Sequence, residues 1–397
     1  MAEQARKSSR LTWALAGTVV VALAVVLAVL LVPGFEQARL IDEIEAHVGI
    51  VEVETTFPEW LDEALAKVCG DRHNRMFGRI STVRLLGGDW FGDDELLRAR
   101  GFRGAETIVI FESALSGDGL ESLGPNPNLL ALGLDRSKFD DTALSRLPAL
   151  PNLQVLTLAE NPITELGPQF ATRFPNLESL WLDGTRINDE CPRQVALLPK
   201  LESLSLDGTS IGDAGMSELA VHGRLSSLRL SNTRITDEGL ARLATSSTLQ
   251  ELYLNDTSIT DAEMSDLAAH GRLWSLSLGN TRITDEGLAR LATSATLKHL
   301  SLNDTSITDA GLRRLSQLKT LTTVTVSRTT VTAAGLGPLV DLPRLDFLDL
   351  SETRVGDDVE PVLLRMPALE FVDLSGTAVS PEVVERLREK IPVVIGP

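Results

Sequence analysis

Leu225-x-x-Leu228-x-Leu230-x-x-Thr233-x-Ile235-Thr236-Asp237-x-Gly239-Leu240 decides the fold, because the same pattern returns every 24 residues as far as Leu312. Self-similarity at a fixed period of this size marks a stacked array in which each unit supplies one short strand and a helical return. A single unit cannot bury its own apolar face, so neighbours must stack. The frame runs outward without slipping: Ala105, Leu129, Leu153, Leu177, Leu201, Leu225, Leu249, Leu273, Leu297, Leu321, Leu345 and Leu369 open twelve units in strict register. A degenerate unit opens one residue early at Ile80, with Val83 and Leu85, as expected of a terminal repeat. The expected class is α/β, a solenoid with a parallel sheet on its concave face and helices on its convex face.

Position by position, the leucines of the strand segment point inward and the residues between them point outward. Position 9 carries Thr in nine units (Thr185, Thr209, Thr233, Thr257, Thr281, Thr305, Thr329, Thr353, Thr377), Asn161 in one, and Ser113 and Ser137 in the first two. Such a column can bond the backbone groups exposed where the strand turns away, so it reads as structural. The following Thr-Asp-x-Gly-Leu turns the chain into the convex helix: Thr or Asp caps it and the acid complements the helix dipole. On this reading the aspartate column (Asp141, Asp189, Asp213, Asp237, Asp261, Asp285, Asp309, Asp357) is a row of caps. The motif weakens at Glu165-Leu166-Gly167-Pro168, Asp189-Glu190-Cys191-Pro192 and Ala333-Ala334-Gly335, where late helix starts are expected.

The N-terminus carries a second signal. Leu11 to Val32 is a 22-residue run without charge, roughly 33 Å as a helix against a hydrocarbon core of about 30 Å. Arg6, Lys7 and Arg10 precede it while Glu36, Asp42, Glu43 and Glu45 follow. The positive-inside rule then places the N-terminus in the cytoplasm and the repeats in the periplasm or outside the cell. A cleavable signal peptide competes with this anchor, but the run exceeds the usual apolar core and Glu36-Gln37-Ala38 makes a poor cleavage site. The expected organisation is a cytoplasmic tail at 1–10, a transmembrane helix at 11–32, a linker and capping region at 33–79, a degenerate first repeat at 80–104, twelve repeats at 105–392 and a C-terminal tail at 393–397. Within the cap, Phe35 to His47 reads as an amphipathic helix, Gly49 to Thr55 as an edge strand and Phe57-Pro58-Glu59-Trp60-Leu61 as the start of a second helix. A small separate ligand-binding domain is the alternative there, though it is shorter than most domains that fold alone. Cys69 and Cys191 fall in units too far apart for a disulfide and read as buried free thiols.

These motifs resemble the 24-residue Thr-Asp-x-Gly-Leu class of leucine-rich repeats, with Thr where relatives often carry Cys or Asn, and the whole chain resembles bacterial membrane-anchored leucine-rich repeat proteins. The resemblance implies a curved solenoid that binds a protein or other macromolecule on its concave side, and supplies no catalytic residues.

The chain also contains its own comparison. His222 to Met264 and His270 to Leu312 are copies of one double repeat that differ at nine of 43 positions. Six of the nine are outward strand-segment positions: Ser226 to Trp274, Arg229 to Ser277, Ser231 to Gly279, Gln250 to Lys298, Glu251 to His299 and Tyr253 to Ser301. Convex residues such as Arg234, Glu238 and Arg242 recur unchanged as Arg282, Glu286 and Arg290. Variation concentrated on one face points to selection for binding there. Aromatics agree: the only tyrosine, Tyr253, and two of five tryptophans, Trp181 and Trp274, read as outward strand positions on this face. Trp181, Arg229, Tyr253, Trp274, Lys298 and His299 are therefore the expected ligand-binding residues, being of types that dominate hot spots. The alternative is that they merely cover neighbours on the sheet.

Charge bounds the partner. The net charge of −18 and the lack of a basic stripe argue against nucleic acid. Glu178, Asp183, Glu202 and Asp207 on one side of the candidate core, and Asp346, Asp349, Glu370 and Asp373 on the other, point to a partner with a basic surface. Calcium at the latter group is the alternative. No metal-protease helix, phosphate-cradling glycine loop or G-x-S-x-G elbow is present, and only His299 of five histidines faces the concave side, so neither an enzyme nor a cofactor is expected. A non-enzymatic recognition protein and a self-associating envelope scaffold are the two readings left.

Overall fold

A computed structural model of the chain describes residues 37–39, 41–46, 49–54, 79–98, 102, 104–124 and 126–396. The expected tail at 1–10, the apolar run at 11–32, Trp60 with its helix, and Cys69 lie outside the described residues. Among the described residues no helix is long and apolar enough to cross a membrane. The chain divides into two compact units, residues 1–137 with 146–150, and 138–145 with 151–397.

In the first unit, residues 37–39 and 41–46 are helical, and Ile41 and Ile44, two residues of the apolar stripe expected there, are buried together with Ala38. The Gly49 N–H donates to the Ile44 carbonyl at 3.0 Å, in a turn so close that a Cβ at Gly49 would sit 2.3 Å from Ile44 Cγ2. Strand β1 (Ile50–Glu54) pairs antiparallel with β2 (Arg79–Gly92), which pairs parallel with β3 (Thr107–Ala114), and β3 with β4 (Ala131–Gly133). The strand of the degenerate repeat is 14 residues long and β3 is 8, against 3 for β4. Two partners hold β2, and its pairing with β3 continues past the level where a regular repeat turns away. Phe91 and Phe102 stack 6.4 Å apart in the interior.

The second unit shows the repeat in regular form. Its strands are β5 (Val155–Thr157), β6 (Ser179–Trp181), β7 (Ser203–Ser205), β8 (Ser227–Arg229), β9 (Glu251–Tyr253), β10 (Ser275–Ser277), β11 (His299–Ser301), β12 (Thr323–Thr325), β13 (Phe347–Asp349), β14 (Phe371–Asp373) and β15 (Val393–Ile395). Each pairs in parallel with the next, residue for residue at the same repeat position through β14. Leu228, Leu252, Leu276 and Leu300 are buried in one interior column, each removing an apolar side chain from water for about 1.5–3 kcal/mol. The threonines of position 9 donate to the carbonyl three residues earlier, as in Thr233 to Leu230, Thr257 to Leu254 and Thr281 to Leu278, all at 2.6 Å and buried. That satisfies the turn in the manner the sequence suggested.

One column was not read from the sequence. The preceding position adopts a left-handed backbone in every repeat from Glu112 to Gly376, at Glu160, Gly184, Gly208, Asn232, Asp256, Asn280, Asp304, Arg328 and Glu352 among others. Gly, Asn and Asp tolerate this region, whereas Arg and Glu adopt it only under the constraint of the stack.

The aspartate column needs a correction. The caps are the threonines: the Thr236, Thr284, Thr308 and Thr332 side chains each accept from the N–H two residues on. The aspartates reach instead into the next repeat. Asp213 Oδ1 accepts from the Thr236 N–H at 2.8 Å and Oδ2 from its hydroxyl at 2.7 Å, and Asp237 to Thr260, Asp261 to Thr284, Asp285 to Thr308 and Asp309 to Thr332 repeat the arrangement. Glycine makes room for that carboxylate: a Cβ at Gly239, Gly287, Gly311 or Gly335 would meet the previous repeat's Asp Oδ1 at 2.2–2.5 Å. Thr, Asp and Gly thus form one inter-repeat latch, and it accompanies the seven-residue helices at Asp237–Leu243, Asp285–Leu291 and Asp309–Leu315. Where Glu263 replaces the glycine the helix begins at Met264.

Two of the expected late starts hold, at Phe170–Arg173 and Cys191–Val195. The third does not: Ala333–Leu336 begins in frame because Thr332 caps it, and is cut short where Gly337–Asp341 tightens into a 3-10 turn containing Pro338. Cys191 is buried in the glycine slot, and burial pushes its thiol up to about 12. Residues 393–397, expected as a tail, begin with a strand instead. Val393 pairs with Phe371 two residues ahead of the 24-residue frame, which hid it, and Arg388 donates twice to the Val394 carbonyl at this last strand.

Candidate functional site

Strands β6 to β11 and the residues just before them hold the side chains expected to bind, but in separate groups. Arg229 and Tyr253 occupy the same position on neighbouring strands and face each other across the ladder. The Arg229 guanidinium carbon lies 4.7 Å from the centre of the Tyr253 ring, and its Nε–H donates to Asp207 Oδ2 at 3.0 Å. Such a stack is worth about 0.5–1 kcal/mol at an exposed site. The Tyr253 hydroxyl donates to Glu251 Oε2 at 3.4 Å, and the Ser227 hydroxyl to the same oxygen at 3.1 Å. Asp207, Arg229, Tyr253 and Glu251 therefore form one connected row with alternating character.

Trp274 and His299 form the second group, edge to face with ring centres 5.2 Å apart. Trp274 and Lys298 lie just before β10 and β11 and not within them, which corrects the strand position expected of Trp274. The Trp274 carbonyl accepts from the N–H groups of both Lys298 and His299, at 2.8 and 2.9 Å. Small Ser277 and Ser301 continue the row beyond Tyr253.

Trp181 stands apart. It is 47 % exposed and two strands from Arg229, with Ser205 between them at 1 % exposure, a separation of about 10 Å at roughly 4.8 Å per strand. Its flank is partly neutralised internally: Glu202 accepts from Arg224 at 2.7 Å and Asp207 from Arg229. Asp183 accepts from the Ser205 hydroxyl and, at 3.0 Å, from the Asp207 N–H. Burial holds the Asp183 carboxyl above its ordinary range, with the Asp207 carboxylate adding to the shift, while the Ser205 hydroxyl and Asp207 N–H oppose it.

At the other end, Asp349 and Asp373 each turn one oxygen to a backbone N–H, of Ser351 and Ser375, both at 2.8 Å. Among the described residues no group of three or more His, Cys, Asp or Glu side chains is placed to hold a metal ion. On the same two strands Phe347 and Phe371 stack in parallel at 4.3 Å, a feature missed in the sequence although the two lie 24 residues apart at one repeat position. Of the repeated histidine pair, His222 is structural: its Nε2 lies 2.9 Å from the Leu198 carbonyl, and Nδ1 accepts from the Leu225 N–H at 3.2 Å. Burial pushes the His270 pKa down.

Comparison with known proteins bears on the fold. A family described as "Leucine rich repeat" matches residues 151–211, and a second with the same description matches 225–244 and 293–316. No curated protein matches the chain in sequence. An internalin of Listeria monocytogenes is similar in structure at 20 % identity, with a TM-score of 0.56 over 84 % of this chain and 94 % of the internalin. Mouse RP105 in its complex with MD-1 is similar at 18 % identity, with a TM-score of 0.54 over 77 % of this chain and 52 % of that one. The 24-residue frame, the stacked parallel ladder and these matches agree that the chain is a leucine-rich repeat protein.

Proposed function

We propose that this protein is a non-enzymatic recognition protein, anchored in a membrane through residues 11–32, which binds a protein partner with a basic surface on the concave face of its repeats outside the cytoplasm. The observation that carries the reading is the pair of double repeats, in which six of nine differences fall on the sheet face, at or beside the residues that build the Arg229–Tyr253 and Trp274–His299 groups. Rigid aromatic side chains beside charged ones are what hot spots are made of. Carboxylates on either side of those groups would steer a basic surface toward them. Protein binding on this fold has a precedent in mouse RP105, seen in complex with MD-1.

Proximity labelling from the repeats in the native membrane tests the proposal. Wild type and a Trp181→Ala, Tyr253→Ala, Trp274→Ala triple variant are compared at equal expression. Recognition predicts a set of labelled partners that the variant loses. An unchanged set dominated by the protein itself would replace this reading with a self-associating scaffold.

A further inference from the structure

The two double repeats also differ in how one arginine is used. In the first copy Arg224 donates through Nη2 to Glu202 Oε1 at 2.7 Å, a carboxylate supplied by the strand segment before it. Its counterpart in the second copy is Arg272, and the counterpart of Glu202 is Gln250. Arg272 is exposed and has no ion pair among the described residues. Nor does Lys298 have one, standing where the first copy has Gln250. Trp274 replaces Ser226 between them, and His299 replaces Glu251. An open pocket of about 410 Å³ lies at this place, lined by Gln250, Arg272, Trp274, Thr296, Lys298 and Thr320 among others.

One scaffold thus carries two opposite arrangements. In the first copy the arginine is occupied by the chain's own glutamate. In the second that glutamate is gone, another acid is replaced by histidine, a cation is added and an indole walls the space. In a chain of net charge −18, two cations left without carboxylates beside a pocket are a local inversion of sign.

We infer that the Arg272–Trp274–Lys298 pocket takes a carboxylate side chain from an acidic, apolar-flanked peptide segment of a partner, in the place that Glu202 fills at Arg224. The occupant is a peptide because the group that satisfies the sister arginine is itself a protein glutamate. Charge-assisted bonds from guanidinium and ammonium hold the carboxylate, and the residue beside it packs on Trp274. The inference rests on reading this face as a binding surface, but concerns one pocket of opposite charge to its surroundings.

The test uses the full chain in detergent at about 150 mM salt, where the Debye length of about 8 Å screens the overall negative charge. The probe is a labelled, end-blocked peptide alternating glutamate with phenylalanine, and its glutamine analogue is the control. Fluorescence polarisation should show saturable binding of the glutamate peptide alone. Gln250→Glu, which restores the sister copy's internal carboxylate without removing a cation, should weaken binding at least about tenfold, equivalent to about 1.4 kcal/mol. Arg272→Gln should do the same, while Glu286→Gln, on the helix Asp285–Leu291 and away from the sheet face, should leave it within about twofold. Equal binding of the glutamine peptide, or indifference to Gln250→Glu, would overturn the inference. So would displacement by polygalacturonate in preference to the peptide, which would make the occupant an acidic polysaccharide. If no glutamate peptide binds but Tyr253→Ala still removes labelled partners, this inference fails and the recognition reading stands. If Arg272 binds peptide while labelling ignores Tyr253 and Trp181, the reverse holds.

Discussion

Residues 222–264 and 270–312 are one structure written twice with different faces. The latch recurs in both: Asp213 to Thr236 and Asp237 to Thr260 in the first, Asp261 to Thr284 and Asp285 to Thr308 in the second. The seven-residue helices Asp237–Leu243 and Asp285–Leu291 have the same sequence and the same threonine cap. On the sheet face the first copy holds Arg229 against Tyr253 and ties Arg224 to Glu202, whereas the second sets Trp274 against His299 and leaves Arg272 open. The interior and the latch specify the stack, and the outward positions are free to specify something else.

The sharpest way to break that comparison is to disturb the latch in each copy. A methyl at Gly239 would sit 2.4 Å from Asp213 Oδ1, and one at Gly287 2.2 Å from Asp261 Oδ1. Gly239→Ala and Gly287→Ala should therefore each cost about 1–3 kcal/mol, the usual range for overpacking. Denaturation midpoints should fall by similar amounts for the two, and a large loss in one copy alone would show that the scaffolds are not equivalent. Thr236→Ala and Thr284→Ala remove a cap together with a hydroxyl bonded to the neighbouring repeat. Each should cost about 1 kcal/mol by the same measurement.

The smaller effects sit on the face. Asp183 is held above its ordinary pKa, chiefly by burial, so the native state keeps that proton to higher pH than the unfolded chain, where the carboxyl titrates near 3.8. Between those two values the native state binds more protons, and stability falls as pH rises through the window. Asn255, at the same repeat position three repeats on, accepts the equivalent bonds from the Ser277 hydroxyl at 2.6 Å and the Gly279 N–H at 2.7 Å with an amide. Asp183→Asn should therefore flatten this part of the pH dependence and raise the denaturation midpoint at neutral pH. A lowered midpoint would show that the charge at Asp183 is needed.

Much of the scaffold was legible because a period of 24 over-determines it: every inward leucine and every position-9 threonine is repeated until only one geometry fits. The left-handed column escaped because it mixes Gly184, Asn232 and Asp256 with Arg136, Glu160 and Arg328, and only the stack compels the latter. The aspartates were misread because capping is a rule about the same helix, whereas their partners lie 23 residues ahead. At the face, residue types and outward direction could be read, but the pairing of Arg229 with Tyr253 and the opening at Arg272 depend on distances between side chains of different repeats. Trp181 shows the limit, since a hot-spot residue type on the right face stands away from both groups.

The smallest expected change in stability accompanies the largest expected change in function, and measuring both on one variant tests the account most directly. The three face residues Trp274, Lys298 and His299 are replaced in the full chain by their first-copy counterparts, Ser, Gln and Glu. The account predicts a denaturation midpoint within about 0.5 kcal/mol of wild type, as for surface changes that touch no latch, together with loss of the proximity-labelled partners. Retained partners, or a collapse in stability, would contradict it.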